Sequence, residues 1–438
     1  MGIRSSRETN SSSGSGQTRT RTLSTSSSAK SLILPARIIE PLEYYPKRRF
    51  HPVHLGDTFQ DSRYSIIRKL GYGSFSTVWL ARDNRLDRYV ALKIGQAESK
   101  PTGEIGIYER LAGSKLVTHP GRDQYLPLLD HFRITGPNGI HQALVYEPMG
   151  ASVAEVKDTL FPNRPFPLWT AKSILWQTLL GLDYMLENAI AHGDVQPRNL
   201  LFTLEDLGSR SVAELEQDKD IPLTPVSMHE IDGVKMPKYI VPADSLMRYL
   251  DISRPFIVKV SDLGGSFLTT NPPHTPAPPF SLRAPETLFE GSVTAAQDMW
   301  SFGCLIFEFI TGMALFDLCD IALFELIDDL HFVDMYNVLG FPSNEGLRGR
   351  QWPGWRKYFT SSGERINHHP RGRDRDFDAN GGTAALTLED LLDDLVGGRF
   401  SAEELETTKD LLRGLLEFDP AKRFRTKQAM RHKWFEGM

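Results

Sequence analysis

The chain has 438 residues, is 40% hydrophobic and 24% charged, and carries a formal net charge of −5. This composition is typical of a globular protein with one large domain or two coupled lobes, and it lacks the basic balance that would favour direct binding of nucleic acid. The 2 cysteines exclude a disulfide framework and a four-cysteine zinc site and fit a reducing compartment, and no apolar run approaches the roughly 20 residues of a transmembrane helix.

Residues 1–38 form a tail rich in Ser, Thr, Gly and Arg. Such a segment buries too little apolar surface to offset its chain entropy, so we predict disorder. Its start, MGIRSS, matches the N-myristoylation pattern of Gly2 with Ser6, and its composition is also typical of a transit peptide. A chance match in a Ser-rich tail is the third interpretation, and the sequence leaves all three open.

Alternating apolar and polar residues begin at about Tyr64. SIIRKLGYGSFSTVWLARD (65–83) and RYVALKI (88–94) predict two strands around a glycine turn, and HQALVYE (141–147) predicts another strand. Residues 102–111 predict a short helix, and the apolar spacing of 171–188 predicts a long one.

The second half of the chain is mostly helical in pattern, with helices expected in 287–340 and 386–435. Polar stretches at about 203–255 and 342–383 interrupt it and are interpreted as inserts. Strands first and helices second predict an α+β fold with two lobes. We place a small β-rich N-lobe with an N-terminal extension in 39–149 and a larger α-helical C-lobe in 150–438.

A glycine-rich turn lies between the first strands, in GYGSFSTV from Gly71 to Val78. Glycines let the backbone approach phosphates closely and donate its N–H groups to them. Ser76 stands where such loops usually carry a third glycine, and a plain hairpin turn is the alternative interpretation.

Lys93 lies on the apolar strand that follows, in VALK. A charged group on a buried strand needs partners, and phosphate oxygens with a carboxylate would supply them. We expect Glu104, rather than Glu98 or Glu109, to be that carboxylate, because it lies in the middle of the segment and Tyr108 shares its helix face. A solvated helix carboxylate is the alternative for Glu104.

Two loops carry the remaining candidates. In HGDVQPRNLLF (192–202), Asp194 is expected to accept the proton of a hydroxyl or to orient it, and Asn199 to hold a metal ion. An apolar strand then ends in Asp262-Leu-Gly, where Asp262 is expected to chelate Mg²⁺ that bridges phosphates. Each residue alone has an ordinary turn as its alternative, but the whole set in this order does not.

The set matches the protein-kinase signature, which also includes Ala284-Pro285-Glu286. From about residue 60 to its end, the chain resembles a eukaryotic protein kinase, which implies a bilobal protein-kinase-like fold. The resemblance implies that Asp298, in DMWSFG, ties down the catalytic-loop backbone. It also implies that Arg423 pairs with Glu286.

Within the kinases, the chain is similar to the SR-protein kinase family and its divergent fungal relatives. The similarity rests on YYPKRRFHPVHLGDTF (44–59), on RKLGYGSFSTVWLARD (68–83), on LPLLDHFRITGPNGIHQALVYEPMG (126–150), and on Asp-Leu-Gly preceded by an insert. It implies ATP and Mg²⁺ as cofactors and transfer to Ser in Arg/Ser-rich segments of a protein substrate. We expect a monomer in the cytoplasm or nucleus.

The same resemblance implies a hinge at Glu147 and Met149, whose backbone groups would bind adenine, with Val78, Ala91 and Leu201 packed against the ring. The full set of expected ATP-binding residues is Leu70, Gly71, Gly73, Ser74, Phe75, Ser76, Val78, Ala91, Lys93, Glu147, Met149 and Leu201.

The first departure from the usual kinase pattern is Gly193, where most kinases carry an Arg that grips an activation-loop phosphate. Members of the SR-protein kinase family also lack it. The loop that follows, GGSFLTTNPPHTPAPPFSLRAPE, is rich in proline, which restricts the backbone. We therefore expect activity without activation-loop phosphorylation.

The second departure is Gln196, where Ser/Thr kinases usually carry a Lys that stabilises charge in the transition state. Arg198 lies four residues after Asp194, at the offset where tyrosine kinases place a substitute Arg. Our hypothesis is that Arg198 reaches the γ-phosphate; the alternative is that it is merely exposed. The sequence leaves open an active Ser/Thr kinase, a nucleotide-binding pseudokinase, and, less favoured, a small-molecule phosphotransferase.

Two acidic stretches, FDLCDIALFELIDDL (316–330) and TLEDLLDDL (387–395), predict amphipathic helices of the larger lobe. Clustered carboxylates could dock an Arg-rich peptide, whereas a solvated helix face is the plainer interpretation. The tail itself contains SSRE and TRTRTLSTSS, so we expect the protein to phosphorylate its own residues 5–28.

Overall fold

A computed structural model of the chain describes residues 39–97, 103–205, 207–289, 292–316, 327–340 and 386–438. In this part of the chain the strands are β1 (Thr58–Phe59), β2 (Tyr64–Tyr72), β3 (Ser76–Asp83), β4 (Arg88–Ala97), β5 (Leu128–Gly136), β6 (Gly139–Tyr146), β7 (Ile190–Ala191), β8 (Leu200–Phe202), β9 (Thr224–Pro225), β10 (Glu230–Ile231), β11 (Val234–Lys235), β12 (Tyr239–Ile240), β13 (Val258–Val260) and β14 (Phe267–Leu268). The helices are α1 (Tyr44–Arg48), α2 (Glu104–Ala112), α3 (Val153–Leu160), α4 (Leu168–Glu187), α5 (Val212–Leu215), α6 (Pro285–Phe289), α7 (Gln297–Thr311), α8 (Ile327–Leu339), α9 (Leu388–Val396), α10 (Ala402–Leu415) and α11 (Thr426–Met430).

The N-terminal half forms a 6-stranded sheet in the order β1-β2-β3-β4-β6-β5, in which every neighbouring pair is antiparallel. The sequence predicted two strands around the glycine turn, but the same residues form three strands. β2 and β3 flank the turn, and β4 carries Lys93. The sequence pattern also missed β5, whose residues alternate between exposed and half-buried because it is the edge strand.

The second half packs around α4, a 20-residue helix whose residues are buried along most of its length. Local signals set the helix ends. Ser152 caps α3 by accepting a hydrogen bond from the Glu155 backbone N–H, and α7 ends at Gly312, whose φ of 86° is open mainly to glycine. With the sheet and these helices, the described residues form the expected α+β fold, with a β-rich first part and a helical second part. The stretch 342–383, interpreted as an insert, lies outside the described residues.

The stretch 203–255 is more than a polar surface loop. Its buried Leu207, Leu215 and Leu246 form one apolar cluster with Leu80 and Tyr89 of the sheet. Its backbone also reaches the strand that leads into the glycine turn: the N–H of Gln217 donates to the carbonyl of Ile67 (2.9 Å), and the N–H of Asp244 donates to that of Lys69 (2.9 Å). The insert therefore covers the outer edge of β2.

The N-terminal extension is anchored on the same strand. Glu40 forms an ion pair with Lys69 of β2, and both side chains are at most 1% exposed. The hydroxyl of Tyr45 donates to the other oxygen of Glu40 (3.0 Å). Both the extension and the insert thus hold β2 from outside the sheet.

None of the helices in the described part of the chain has the length and apolar character needed to cross a membrane.

Candidate active site

Lys93 lies in the centre of the sheet, with Val78 opposite it on β3 and Leu144 opposite it on β6. Its ammonium is 3.2 Å from a carboxylate oxygen of Glu104 and 2.7 Å from one of Asp262. The structure therefore brings together three residues predicted from three separate stretches. Burial alone would lower the pKa of Lys93, but the charges of Asp262 and Glu104 outweigh it and raise that pKa.

Glu104 is in the first turn of α2 and is 8% exposed, so it is not a solvated carboxylate. Tyr108 is also buried, as expected from its position four residues later, and its ring lies 5.7 Å from that of Tyr146. The charge of Lys93 lowers the pKa of Asp262, whose side chain is 47% exposed. Asp262 is thus held ionised, which a metal ligand requires.

The backbone of the catalytic loop, residues 192–199, is fixed by α7. Asp298 accepts hydrogen bonds from the N–H groups of His192 (2.7 Å) and Gly193 (2.8 Å), as the sequence led us to expect. The ring of His192 is buried, with one nitrogen 3.0 Å from the carbonyl of Ser261 and the other accepting from the N–H of Asp194 (3.2 Å). His192 thus joins the catalytic loop to the strand that ends at Asp262.

The carboxylate of Asp194 is held by two neutral amides from the same loop. The Nε2 of Gln196 lies 2.8 Å from each oxygen of the Asp194 carboxylate, and the Nδ2 of Asn199 lies 2.9 Å from Oδ2. Burial raises the pKa of Asp194, against the neighbouring His192 ring and the amide hydrogen bonds of Gln196 and Asn199, which lower it.

The donor set around Asn199 and Asp262 fits Mg²⁺. The amide nitrogen of Asn199 is engaged by Asp194, which leaves its oxygen as the group available to a cation. In the described residues, no three or more His, Cys, Asp or Glu side chains cluster into a metal site. Two oxygen ligands suit Mg²⁺, which keeps waters and shares its shell with phosphates.

Arg198 is exposed, so the structure does not place it on Asp194. Its charge nevertheless acts on Tyr72 of the glycine turn, whose pKa is raised mainly by burial and is lowered by Arg198. Arg198 is therefore close enough to the end of β2 for its charge to act there. The expectation that it contacts a γ-phosphate stays a prediction.

The glycine turn has an open side. A Cβ built on Gly71 or Gly73 would meet no atom within 4 Å, so the backbone there is accessible to a ligand. Ser74 and Phe75 form an exposed tip, whereas Ser76 is buried where β3 begins. Leu70 packs against both the main core and the cluster formed by the insert.

Four other expected adenine contacts lie near one another around the hinge. Leu201 on β8 bridges to Ser152 just after the hinge, and Ala91 pairs with Tyr146 just before it. Val78 and Leu201 are half-buried and pack against the core that contains Ala91 and Met149. The hinge residue Glu147 has an additional partner that sequence reasoning missed: Lys259 of β13, whose ammonium is 2.5 Å away.

The activation segment, residues 264–286, contacts the catalytic loop and packs on itself. Its strand β14 pairs with β7, and the Thr269 N–H donates to the carbonyl of Ala189 (2.9 Å). The Ser266 hydroxyl donates to the carbonyl of His192 (2.9 Å). At its end, the Arg283 guanidinium donates to the carbonyl of Pro278 (2.9 Å) and lies 3.9 Å from the centre of the Phe280 ring.

The expected pair of Glu286 and Arg423 is present. Two hydrogen bonds of 2.9 Å join them, and neither side chain is more than 1% exposed. This contact fixes the end of the activation segment to the last part of the chain.

The acidic stretch 387–395 forms α9, but most of its carboxylates have partners within the lobe. Glu389 pairs with Arg413 (2.5 Å), Asp393 with Lys409 (2.8 Å), and Asp390 caps the helix through Thr387. An arginine-rich peptide that docked on α9 would have to compete with these partners, and its docking there stays a prediction. Most of the other acidic stretch, 316–330, lies outside the described residues.

Comparison with known proteins decides the family. A model of the protein kinase domain matches residues 64–221 and 249–435. The chain belongs to the protein kinase family. The model omits 222–248, within the insert that covers β2.

The relatives of this kinase include named serine/threonine kinases. It is 26% identical to Protein kinase dsk1 of Schizosaccharomyces pombe, over 88% of this chain and 82% of that protein. It is 29% identical to the serine/threonine-protein kinase SRPK of Physarum polycephalum, over 90% of each chain. It is 37% identical to human SRSF protein kinase 3, over only 39% of this chain and 30% of that protein. The chain is thus an SR-protein-kinase-like serine/threonine protein kinase that acts on protein substrates.

Proposed function

We propose that the protein transfers the γ-phosphate of ATP, with Mg²⁺, to Ser or Thr hydroxyls in Arg/Ser-rich protein segments. The main support is that the ammonium of Lys93 lies within 3.2 Å of the carboxylates of both Glu104 and Asp262. The catalytic loop carries Asp194 and Asn199, which contact each other. Lys93, Glu104, Asn199 and Asp262 would also serve a protein that only binds nucleotide, whereas Asp194 at the acceptor side has a role only in transfer.

In the proposed reaction, the acceptor hydroxyl oxygen forms a bond to the γ-phosphorus as the bond from that phosphorus to the bridging oxygen of ADP breaks. Asp194 takes the hydroxyl proton, and its raised pKa favours this role. Lys93, held by Glu104, binds phosphate oxygens, and the open backbone of the glycine turn donates N–H groups to them. Mg²⁺ held by Asp262 and Asn199 would neutralise phosphate charge.

Arg/Ser-rich segments are proposed as substrates because the relatives include a protein named an SRSF protein kinase and one named SRPK. The charge pairs of α9 make that helix a weak candidate for recognising arginines, so the docking surface is left unassigned. The protein's own tail, residues 5–28, carries Arg and Ser and is proposed as a substrate in cis.

Activity without activation-loop phosphorylation is supported by the contacts of β14, Ser266 and Arg283, which hold the segment through backbone groups. To test this, Thr269, Thr270 and Thr275 are replaced together by Ala. We expect kcat to be retained within about twofold, since each contact above is independent of these hydroxyls. A requirement for phosphate at any of the three would overturn this part of the proposal.

The deciding assay offers Mg-ATP with an Arg-Ser repeat peptide, with a generic basic protein, and without added substrate. Asp194→Ala serves as the control. We expect transfer to the repeat peptide and to residues 5–28, both lost in Asp194→Ala. Nucleotide binding without any transfer would favour the scaffold alternative instead.

A further inference from the structure

The carboxylate of Asp194 has an unusual environment for a catalytic base candidate. Its side-chain partners in the described residues are amides: Nε2 of Gln196 at 2.8 Å from both oxygens, and Nδ2 of Asn199 at 2.9 Å. The orientation of the Gln196 amide follows from chemistry, because its oxygen would repel the carboxylate at this distance.

The backbone around Gln196 is fixed on both sides. Val195 is 2% exposed and anchors the chain in the core, Pro197 fixes the next φ, and the carbonyl of Gln196 accepts from the Asn199 N–H (3.0 Å). Gln196 itself is half-buried. The backbone of Gln196 is therefore fixed beside Asp194, and only its side-chain torsions have to be ordered for the contact.

We propose that Gln196 is a positioning residue, whose amide fixes the direction of the Asp194 carboxylate towards the acceptor hydroxyl. This inference rests on the proposed function. A neutral amide turned onto Asp194 supplies orientation but no charge to the transferring phosphate. A Lys at this position could both orient Asp194 and supply positive charge to the phosphate, whereas Gln196 can only orient Asp194. The positive charge must therefore come from other groups. Arg198, which is exposed on the same loop, is a candidate.

The effect of losing this contact is set by geometry, because displacing a reacting group by about 1 Å costs about 100-fold in rate. Gln196→Leu keeps the size of the side chain and removes the donor. We expect kcat to fall about 10- to 100-fold while KM for ATP and for peptide changes less than about threefold. Gln196→Glu places a like charge on Asp194 and is expected to lower kcat further, whereas Gln196→Lys restores a donor and recovers kcat.

Gln428→Leu is the matched control. Gln428 is an exposed glutamine whose side-chain oxygen accepts from the Arg425 N–H (3.0 Å) at the start of α11, remote in the sequence from the catalytic loop. We expect this variant to lower Tm without changing kcat, which separates stability from positioning.

The experiment measures kcat, both KM values and Tm for the four variants and the wild-type protein with Mg-ATP and the Arg-Ser peptide. A kcat for Gln196→Leu equal to that of the wild-type protein overturns the inference. A kcat for Gln196→Lys as low as that of Gln196→Leu overturns it as well. If wild-type protein transfers no phosphate, the proposed function fails, and Gln196 is left as a structural contact only.

Discussion

Gly193 packs its Cα against the carbonyl of Gly265, so that a Cβ at this position would lie 2.3 Å from that oxygen. Its φ of 77° is also in the left-handed region, which costs other residues about 1–2 kcal/mol. The missing Arg of the catalytic loop is therefore a geometric requirement of this chain. The space in which an Arg side chain would begin is occupied by the backbone of Gly265, at the start of the activation segment.

Replacing Gly193 with Ala is expected to destabilise the protein by about 2–4 kcal/mol, through backbone strain and overlap with Gly265. Urea unfolding measures the loss. Gly208→Ala is the control, because a Cβ there meets nothing within 4 Å, and it is expected to change stability by less than about 1 kcal/mol. Equal stability of the two variants would contradict the packing described here.

The buried pair of Glu40 and Lys69 provides a second prediction. Lys69→Met leaves a carboxylate buried without its charge partner and is expected to cost about 3–5 kcal/mol of unfolding free energy. Replacing both residues, Glu40→Leu with Lys69→Met, is expected to recover most of that loss. Additive losses in the double variant would show that the two charges are not coupled.

A matched exposed pair lies nearby in the sequence. Glu43 and Lys47 are 3.6 Å apart with side chains 59% and 69% exposed, so Lys47→Met is expected to cost less than about 1 kcal/mol.

The acid stability of the protein is expected to depend on His51. Burial, with the nearby His141 and His54, lowers the pKa of His51 from 6.5 to about 4. The unfolded chain therefore binds this proton first as pH falls. Stability from neutral His51 is complete above pH 6.5 and is lost between about pH 6.5 and 4.

His51→Gln is expected to reduce the loss of unfolding free energy between pH 7.5 and 5, whatever its effect at pH 7.5. His229→Gln, at an exposed histidine, is expected to leave the slope unchanged. Denaturant unfolding at several pH values measures both slopes. An unchanged slope in His51→Gln would mean that this ring titrates normally in the folded protein.

Lys259 is expected to affect nucleotide binding through the hinge. Its ion pair with Glu147 is partly exposed and is worth about 0.5–1 kcal/mol, so Lys259→Met is expected to raise KM for ATP about 2- to 5-fold at similar kcat. Lys259→Arg keeps the charge and is expected to behave like wild type. A fall in kcat with unchanged KM would place the role of Lys259 elsewhere.

The residues expected to carry the chemistry could be predicted because short motifs bring them with fixed spacing. Lys93, Asp194, Asn199 and Asp262 each lie in a short sequence motif. The strand or loop that carries each motif can also be predicted from the sequence. The partner Glu104 followed from one helix face. In each case the chemistry of the residue and its neighbours in sequence point to the same role.

What could not be predicted depends on contacts between distant segments. Lys69 and Glu40 are charged and would be expected at the surface, yet each is buried by the other. Gln217 lies in a polar stretch with no pattern, and its backbone contact with Ile67 appears only after the insert folds over β2. The role of Gly193 depends on Gly265, whose position depends on the whole activation segment.

The covering of β2 by the insert has a consequence for the order of events during synthesis. The carbonyls of Ile67 and Lys69 on β2 can bond only to water or to other chains until Gln217 and Asp244 have left the ribosome. For that interval the part of β2 beyond its pairing with β1 is exposed, and so are the apolar side chains of Leu80 and Tyr89 that the insert covers. Exposed strand edges and apolar surface promote association with other chains. We therefore expect chaperones to bind the nascent chain less once translation has passed the insert.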